Sequence, residues 1–354
     1  MRNLMKSNKL SNALIPVISV LLGLIAGAVI MVISGYNPAS AYLSIFQMVF
    51  MDPYYAGETF VTMIPLILSG LSVAFAFRTG LFNIGVEGQL LVGWLASVAA
   101  ALAVPDLPKI LAIPFCILVA AVAGGLWGFI PGLLKARFHV HEVITTIMMN
   151  YIALHMTNAI IRNFLFAKGE HTPVIPDNAS LSSQFLTDLT TGSRLHWGII
   201  VSLIGAFVMW FLLWRTTKGF ELRAVGYNPD ASRYAGMNVN RNIIISLVIA
   251  GAFAGAAGST LGLGTYHFMT INGDFTGIGF DGIAVALLGL NTSFGVVLAA
   301  YLFAALETGG ISMQSLGIPN DLVQVIIALI IFFVASSYII KWAMARLKKG
   351  GEVS

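Results

Sequence analysis

Charge is scarce in this chain. Asp, Glu, Lys and Arg together make up 10% of its 354 residues, where a soluble domain carries about 25%. So few charges cannot cover a water-facing surface of this size, which excludes an ordinary soluble enzyme. Cysteine is nearly missing. Cys116 stands alone in an apolar run, so no intrachain disulfide can form and the redox compartment is not legible. Its simplest role is that of a small buried hydrophobe. Nucleotide-binding and catalytic signatures are missing too. No G-x-x-x-x-G-K-[ST] occurs, so the chain has no P-loop with which to cradle phosphates. Nor is there an H-E-x-x-H, a G-x-S-x-G or a cysteine pair.

What is abundant is apolar. Hydrophobic residues reach 58%, and mean hydropathy is +0.88. A disordered chain needs the opposite balance, so a polytopic membrane protein remains. Gly contributes 36 residues, above the usual share of about 7%, which suits transmembrane helices whose backbones meet closely. The net charge of +4 fits Lys and Arg retained on a cytoplasmic face and does not call for a nucleic-acid partner.

Arg2, Lys6 and Lys9 precede the apolar run 13–34. The run resembles a signal peptide, but it is long for an h-region, and no convincing small-residue cleavage site follows. As a helix it extends about 33 Å, enough to cross the hydrocarbon core. It therefore reads as a retained first span with a cytoplasmic N-terminus. Further apolar segments cover 60–77, 89–104, 110–134, 143–165, 196–214, 243–264, 281–290, 294–309 and 321–340. They predict a single all-α membrane domain over 1–354, with about ten transmembrane helices.

Lys and Arg set the expected orientation. The segment 35–59 has neither and is expected outside. Arg78, Lys135 and Arg137 are expected inside. So are the loop 215–242, with Arg215, Lys218, Arg223, Arg233 and Arg241, and the tail 341–354, with Lys341, Arg346, Lys348 and Lys349. Two inner termini require an even number of crossings. The stretch 281–309 then counts as two, split at Asn291-Thr292-Ser293. The piece 281–290 is only about 15 Å as a helix, half a bilayer. Such broken helices are tolerated where they line a protein-buried cavity.

A pentapeptide repeats. Ile84-Gly85-Val86-Glu87-Gly88 and Ile278-Gly279-Phe280-Asp281-Gly282 each precede or open an apolar helix. An odd number of crossings separates them, so the copies face opposite sides, as in inverted five-helix halves with broken helices at the midplane. Glu87 and Asp281 suit helix-start caps. They equally suit a substrate path at which two helix N-termini aim. Span 143–165 is unusually polar. Thr146, Asn150 and Thr157 share one face, and Tyr151, His155, Asn158 and Arg162 form a second. Interhelical hydrogen bonding and a lining for a neutral polar solute both fit. His139 and His141 lack the further Cys or His that a zinc site needs. The Asn-x-Ser and Asn-x-Thr matches at Asn178 and Asn291 specify nothing, and the polar loop 166–195 is the largest outer segment.

The basic loop contains Asn228-Pro229-Asp230-Ala231-Ser232-Arg233-Tyr234-Ala235-Gly236. Asn228 suits an N-cap, Pro229 the first turn, Asp230 the dipole and Gly236 the C′ stop. Two turns are not stable alone, so this helix needs a surface, either a partner or its own bundle.

Three stretches carry a family resemblance. They are Arg78-Thr79-Gly80-Leu81-Phe82-Asn83-Ile84-Gly85-Val86-Glu87-Gly88-Gln89, His141-Glu142-Val143-Ile144-Thr145-Thr146-Ile147-Met148-Met149-Asn150-Tyr151, and the loop from Arg223 to Met237 around Asn228-Pro229-Asp230. With them the chain, from about residue 10 to 345, resembles the permease subunits of bacterial ATP-binding cassette importers serving ribose, branched-chain amino acids and nucleosides. The resemblance implies a ten-helix permease in the cytoplasmic membrane. Its implied partners are a second, paralogous permease, an ATPase with two cassettes, and an extracellular substrate-binding lipoprotein. ATP and Mg then bind to the ATPase, and this chain holds no cofactor. The Phe82-Asn83-Ile84-Gly85 version implies nucleosides, purine nucleosides such as guanosine foremost, with ribose or another simple sugar as the alternative.

On this reading Asn83, Glu87, Asn150, Asp281 and Asn291 line the substrate pathway, and Phe82 or Phe280 serves base stacking. Arg223, Gly226, Asn228, Asp230, Arg233 and Gly236 form the ATPase-docking loop. The rival classes are a proton-coupled secondary transporter, with Glu87 and Asp281 as proton carriers, and a membrane scaffold.

Overall fold

Paired cap signals begin the second and third helices. Asn37 accepts from the Ala39 amide at 3.0 Å, and Asp52 from the Tyr54 amide at 2.9 Å. In each case a proline occupies the first turn, where its missing N–H costs nothing. The computed structural model, which describes residues 2–165 and 170–336, thus places α2 (Pro38–Met51) and α3 (Pro53–Arg78) after α1 (Arg2–Ile33). The segment 35–59, expected as an outer connection, is largely helical. At 14 residues, α2 reaches only about 21 Å, too short to register as a span.

Then come α4 (Val86–Ala103), α5 (Lys109–Phe138) and α6 (Glu142–Phe164), followed by the small α7 (Gln184–Leu189) within a long loop. α8 (Gly198–Arg215) leads into the short pair α9 (Thr217–Tyr227) and α10 (Pro229–Tyr234). α11 (Val239–Thr260) ends in a π-turn over Leu261–Thr265. α12 (Ile278–Leu288), α13 (Ser293–Ser315) and α14 (Asn320–Ala335) complete the described chain. Among the described residues, eight helices are long and apolar enough to cross a membrane, and Pro38–Met51, Ile278–Leu288 and Asp321–Phe333 are shorter apolar helices. The chain is an all-α polytopic membrane protein. The tail 341–354 lies outside the described residues.

α3 is the hub. It is apolar all round, as a helix enclosed by others must be, and it packs against α8, α11, α12 and α13. Ile64, Leu66, Ile67, Leu68, Leu71 and Phe75 are sealed in the core. α4, α5 and α11 meet along a glycine seam, where a side chain on Gly255 would strike Ala120 and Gly124 of α5. Small residues let these backbones approach, which drives association in lipid.

One end of the bundle collects most of the cations. Gly226 of α9 lies on Gly80 after Arg78 of α3, and Lys135 of α5 and His139 just after that helix share a cleft with Arg233 and Val239. Arg215 ends α8 there. At the far end, the 170–197 loop is held to α3 by Arg194, whose Nη2 donates to Glu58 Oε2 at 2.5 Å while its amide donates to Oε1 at 2.8 Å. The same loop pairs its backbone with 263–271, through Leu181 N to Leu263 O and Thr172 N to Met269 O.

Candidate functional site

The break between α3 and α4 is built on buried amides. Gly80, at φ +77°, turns the chain back, a conformation that costs a Cβ-bearing residue. Asn83 Nδ2 donates to Gln89 Oε1 at 2.9 Å, and its Oδ1 accepts from Gly85 N at 3.0 Å. Asn150 of α6 accepts from Gly88 N at 2.9 Å and donates to the Ile84 carbonyl at 3.0 Å. Asn150 sits about 12 Å along α6 from its basic-end start, so α4 begins deep in the bundle. Backbone polar groups at that depth have no water, and these two side chains satisfy them.

Glu87 does not cap its own helix. It is fully buried and reaches across to the start of α12. Its Oε1 accepts from Thr276 N at 2.6 Å, Thr276 Oγ1 at 2.6 Å and Gly277 N at 3.2 Å, and its Oε2 accepts from Gly279 N at 2.7 Å. A carboxylate there meets the positive end of the α12 dipole with charge-assisted bonds. Gly279 is required because a Cβ would enter the Glu87 backbone. The two copies of the repeat therefore meet inside the bundle. α4 runs toward the far end. α12 runs to the basic end, where Arg78 Nε donates to the Asn291 carbonyl at 2.7 Å and Nη2 to the Leu290 carbonyl at 2.9 Å.

Gly279 faces α4 and Gly282 faces Ser69 of α3, so helical periodicity puts Phe280 and Asp281 toward the other side. Phe280 is exposed and Asp281 half-buried. Phe280 ends a row of rings: Tyr151 to Phe275 at 5.0 Å, and Phe275 to Phe280 at 5.7 Å, both edge-on. Phe82 is elsewhere, against Phe77 at 5.0 Å. Asn291 lies in the turn after α12, at φ +52° beside Leu290 at +53°, a helix length of about 15 Å from Asp281. The structure thus brings Glu87, Phe280 and Asp281 together, with Asn83 and Asn150 behind them spent on the backbone. Phe82 and Asn291 stand apart, at the basic end.

The loop 215–242 divides in two. Its anchors face inward. Arg223 lies over the Trp214 ring at 4.0 Å and donates to the Gly219 carbonyl at 3.3 Å. Gly226 lies on the Thr79–Gly80 backbone, too close for any side chain. Its outer part is α10. Asn228 Oδ1 accepts from Ala231 N at 3.0 Å, Gly236 stops the helix at φ +83°, and Arg233 stands 3.8 Å from Asp230, both exposed. Tyr227 and Tyr234 are 86% and 96% exposed, which is unusual for large aromatic rings without a partner.

Residues 55–335 match the family described as branched-chain amino acid transport system / permease component. The chain belongs to this permease family. The permease is 58% identical to the guanosine ABC transporter permease protein NupP of Bacillus subtilis, over 97% of its own length and 99% of that relative. It is 42% identical to the nucleoside ABC transporter permease protein NupB of Lactococcus lactis, over 97% and 96% of the two chains. The glucose ABC transporter permease protein TsgB13 of Haloferax volcanii is 34% identical, over 92% and 88%. No solved structure matches the permease.

The sequence reading passed over several residues of this permease. Tyr227 and Tyr234 sit in the quoted loop, but exposure is a tertiary property. Glu307 was missed although its signal is plain, a lone acid inside an otherwise apolar span. His141 serves as a cap, its Nδ1 accepting from Val143 N at 3.3 Å.

Proposed function

We propose that this chain is the membrane permease of an ATP-binding cassette importer that brings nucleosides, purine nucleosides such as guanosine among them, into the cell. One observation carries the reading: 58% identity to a guanosine permease across nearly the whole of both chains. The substrate passes the face made by Phe280 and Asp281. The basic end lies in the cytoplasm, following the positive-inside rule, in the cell membrane of a bacterium. The partners are a two-cassette ATPase, an extracellular substrate-binding lipoprotein and a second, paralogous permease. The last is supported by NupQ of the same Bacillus subtilis strain, a guanosine ABC transporter permease protein at 28% identity. ATP and Mg belong to the ATPase, and this chain holds no cofactor.

The contacts suggest how force travels. ATP-driven motion reaches α10 through its exposed rings and Arg233. The Gly226–Gly80 backbone contact passes it to the end of α3. Arg78, bonded to the Leu290 and Asn291 carbonyls, passes it to the turn between α12 and α13. α12 then tilts about the Glu87 cap, opening the pathway first to one side and then to the other.

A simple sugar is the second reading, favoured by the 34% identity to a glucose permease. The test is uptake of labelled guanosine, uridine, ribose and glucose by cells with and without this gene. Selective loss of nucleoside uptake supports the proposal, and selective loss of sugar uptake replaces it with the second reading. Uptake by the chain alone in liposomes, driven by a pH gradient, would point to a secondary transporter.

A further inference from the structure

α1 is fastened along its outer half only. A side chain on Gly23 or Gly27 would strike Ile330 or Ile326 of α14, and Tyr42 of α2 donates to the Leu24 carbonyl at 2.6 Å. Between the inner half of α1 and the α12–α13 turn lies a groove of about 500 Å³. Val17 and Leu21 line it from α1, Phe294 and Leu298 from α13, and Leu288 and Leu290 complete it. Among the described residues none that lines it is charged. Its one side-chain hydroxyl, that of Thr292, is spent on its own turn, donating to the Gly289 carbonyl at 2.8 Å and accepting from Gly295 N at 3.2 Å. No side chain in the groove is free to hold a polar solute, so its occupant is hydrocarbon. Leu302, the lining residue farthest along α13, is about 14 Å of helix from Ser293. One leaflet of hydrocarbon is about 15 Å thick, so the groove runs the depth of a leaflet. Its polar end is marked in the sequence. Arg2, Lys6 and Lys9 are spaced by four and three residues, and the same helical spacing runs on to Pro16, Val17 and Val20, which line the groove. Lys9 precedes Pro16, where the span begins, by about 10 Å of helix, the level at which headgroups meet water.

We propose that this groove is a binding site for an anionic glycerophospholipid of the leaflet at the basic end: one acyl chain lies between α1 and α13, and the basic face of Arg2, Lys6 and Lys9 holds the phosphate. The chain is retained because each methylene it buries in the groove adds to binding. A zwitterionic lipid offers the same chain, but its headgroup has no net charge to meet three cations, which selects the anionic one. The competing occupant is the second permease, which would fill the groove with side chains and would have no use for the cations. A lipid seated here touches Leu290, whose carbonyl accepts from Arg78 at 2.9 Å. The site therefore adjoins the turn between α12 and α13. Nothing in it depends on which solute is carried.

The experiment is native mass spectrometry of the complete transporter, stripped of lipid in detergent and then given dioleoyl phosphatidylglycerol or dioleoyl phosphatidylcholine. The wild type is expected to hold one phosphatidylglycerol at least about tenfold more tightly than phosphatidylcholine. Val17→Trp and Leu298→Trp each fill the groove from one wall. Both positions are exposed, so the larger ring leaves the core undisturbed. Each is expected to weaken binding of that lipid at least about tenfold. Lys6→Gln combined with Lys9→Gln is expected to remove the preference for phosphatidylglycerol while phosphatidylcholine still binds. Phosphatidylglycerol held by both filled variants as tightly as by the wild type would overturn the proposal. So would a wild type that does not distinguish the two lipids, or a preference that survives the loss of both lysines. Loss of the second permease from a filled variant, visible in the same spectra, would make the groove a contact between permeases and overturn the lipid site as well. Each of these outcomes leaves the nucleoside reading intact.

Discussion

The Glu87 carboxylate holds the amide of Gly279 at 2.7 Å, joining the two copies of the repeated pentapeptide across the bundle. A helix that begins inside a membrane leaves its first N–H groups without water. Here one buried anion takes three backbone amides and a hydroxyl. Glu87→Gln keeps the shape but offers a donor where acceptors are needed. It is expected to destabilise the chain by about 2 kcal/mol and to cut nucleoside uptake severely. Thermal unfolding in detergent and uptake in cells check both effects. Wild-type behaviour in both would show that the cap is dispensable.

The Gly226–Gly80 contact leaves no room for a side chain on either residue. Gly226→Val is expected to separate α9 from the end of α3. ATP hydrolysis by the assembled complex should continue while transported nucleoside per ATP falls at least about tenfold, the mark of an interrupted path. Parallel ATPase and uptake assays decide this, and an unchanged ratio would remove this contact from the route.

The exposed ring of Tyr234 and the Arg233 side chain are expected to meet the ATPase. Arg233→Glu and Tyr234→Ala should weaken co-purification of the ATPase by about 2 kcal/mol, in the range of interface hot spots. Membrane insertion should be unaffected, since α10 is not needed for the spans to pack. Retention of a full complement of ATPase by both variants would place docking elsewhere.

His196, ahead of α8 in the far-end loop, is buried, and that burial lowers its pKa from 6.5 to about 4, helped by His267 and Arg194 nearby. It is held neutral, Nδ1 accepting from Gly198 N at 3.1 Å and Nε2 donating to Thr265 Oγ1 at 3.3 Å. Between these two values the unfolded chain takes up a proton that the folded chain refuses. The stabilisation is complete above pH 6.5 and is lost as pH falls toward 4, by roughly 3 kcal/mol in all. Melting temperature measured against pH should show this slope, and His196→Gln should flatten it.

Much of the fold is legible in the chain itself. The apolar runs mark the spans because a helix in lipid must present hydrocarbon along its length. The split at Asn291-Thr292-Ser293 follows from parity, and it appears as the turn between α12 and α13. The α10 signals Asn228, Pro229 and Gly236 act locally, within a few residues, so one dimension suffices to read them. α2 was hidden because its 14 residues fall short of a bilayer, although its cap pair Asn37-Pro38 was in plain view.

The candidate site was legible in its parts and not in their arrangement. The sequence identified Glu87 and Asp281 as the acids of a repeat, and it left open whether they cap helices or meet a solute. Only the fold separates them. Glu87 faces another helix start and is consumed by it, while Asp281, at the matching place, has no donor within reach among the described residues. By itself, then, the sequence determined that the chain lives in lipid, where most of its long apolar helices lie, where its helices break and which end is basic, because those follow from composition and local spacing. The tertiary structure decided which polar side chains are spent on buried backbone and which, like Asp281 and Glu307, are left over, because hydrogen-bond satisfaction depends on neighbours that chain order does not reveal.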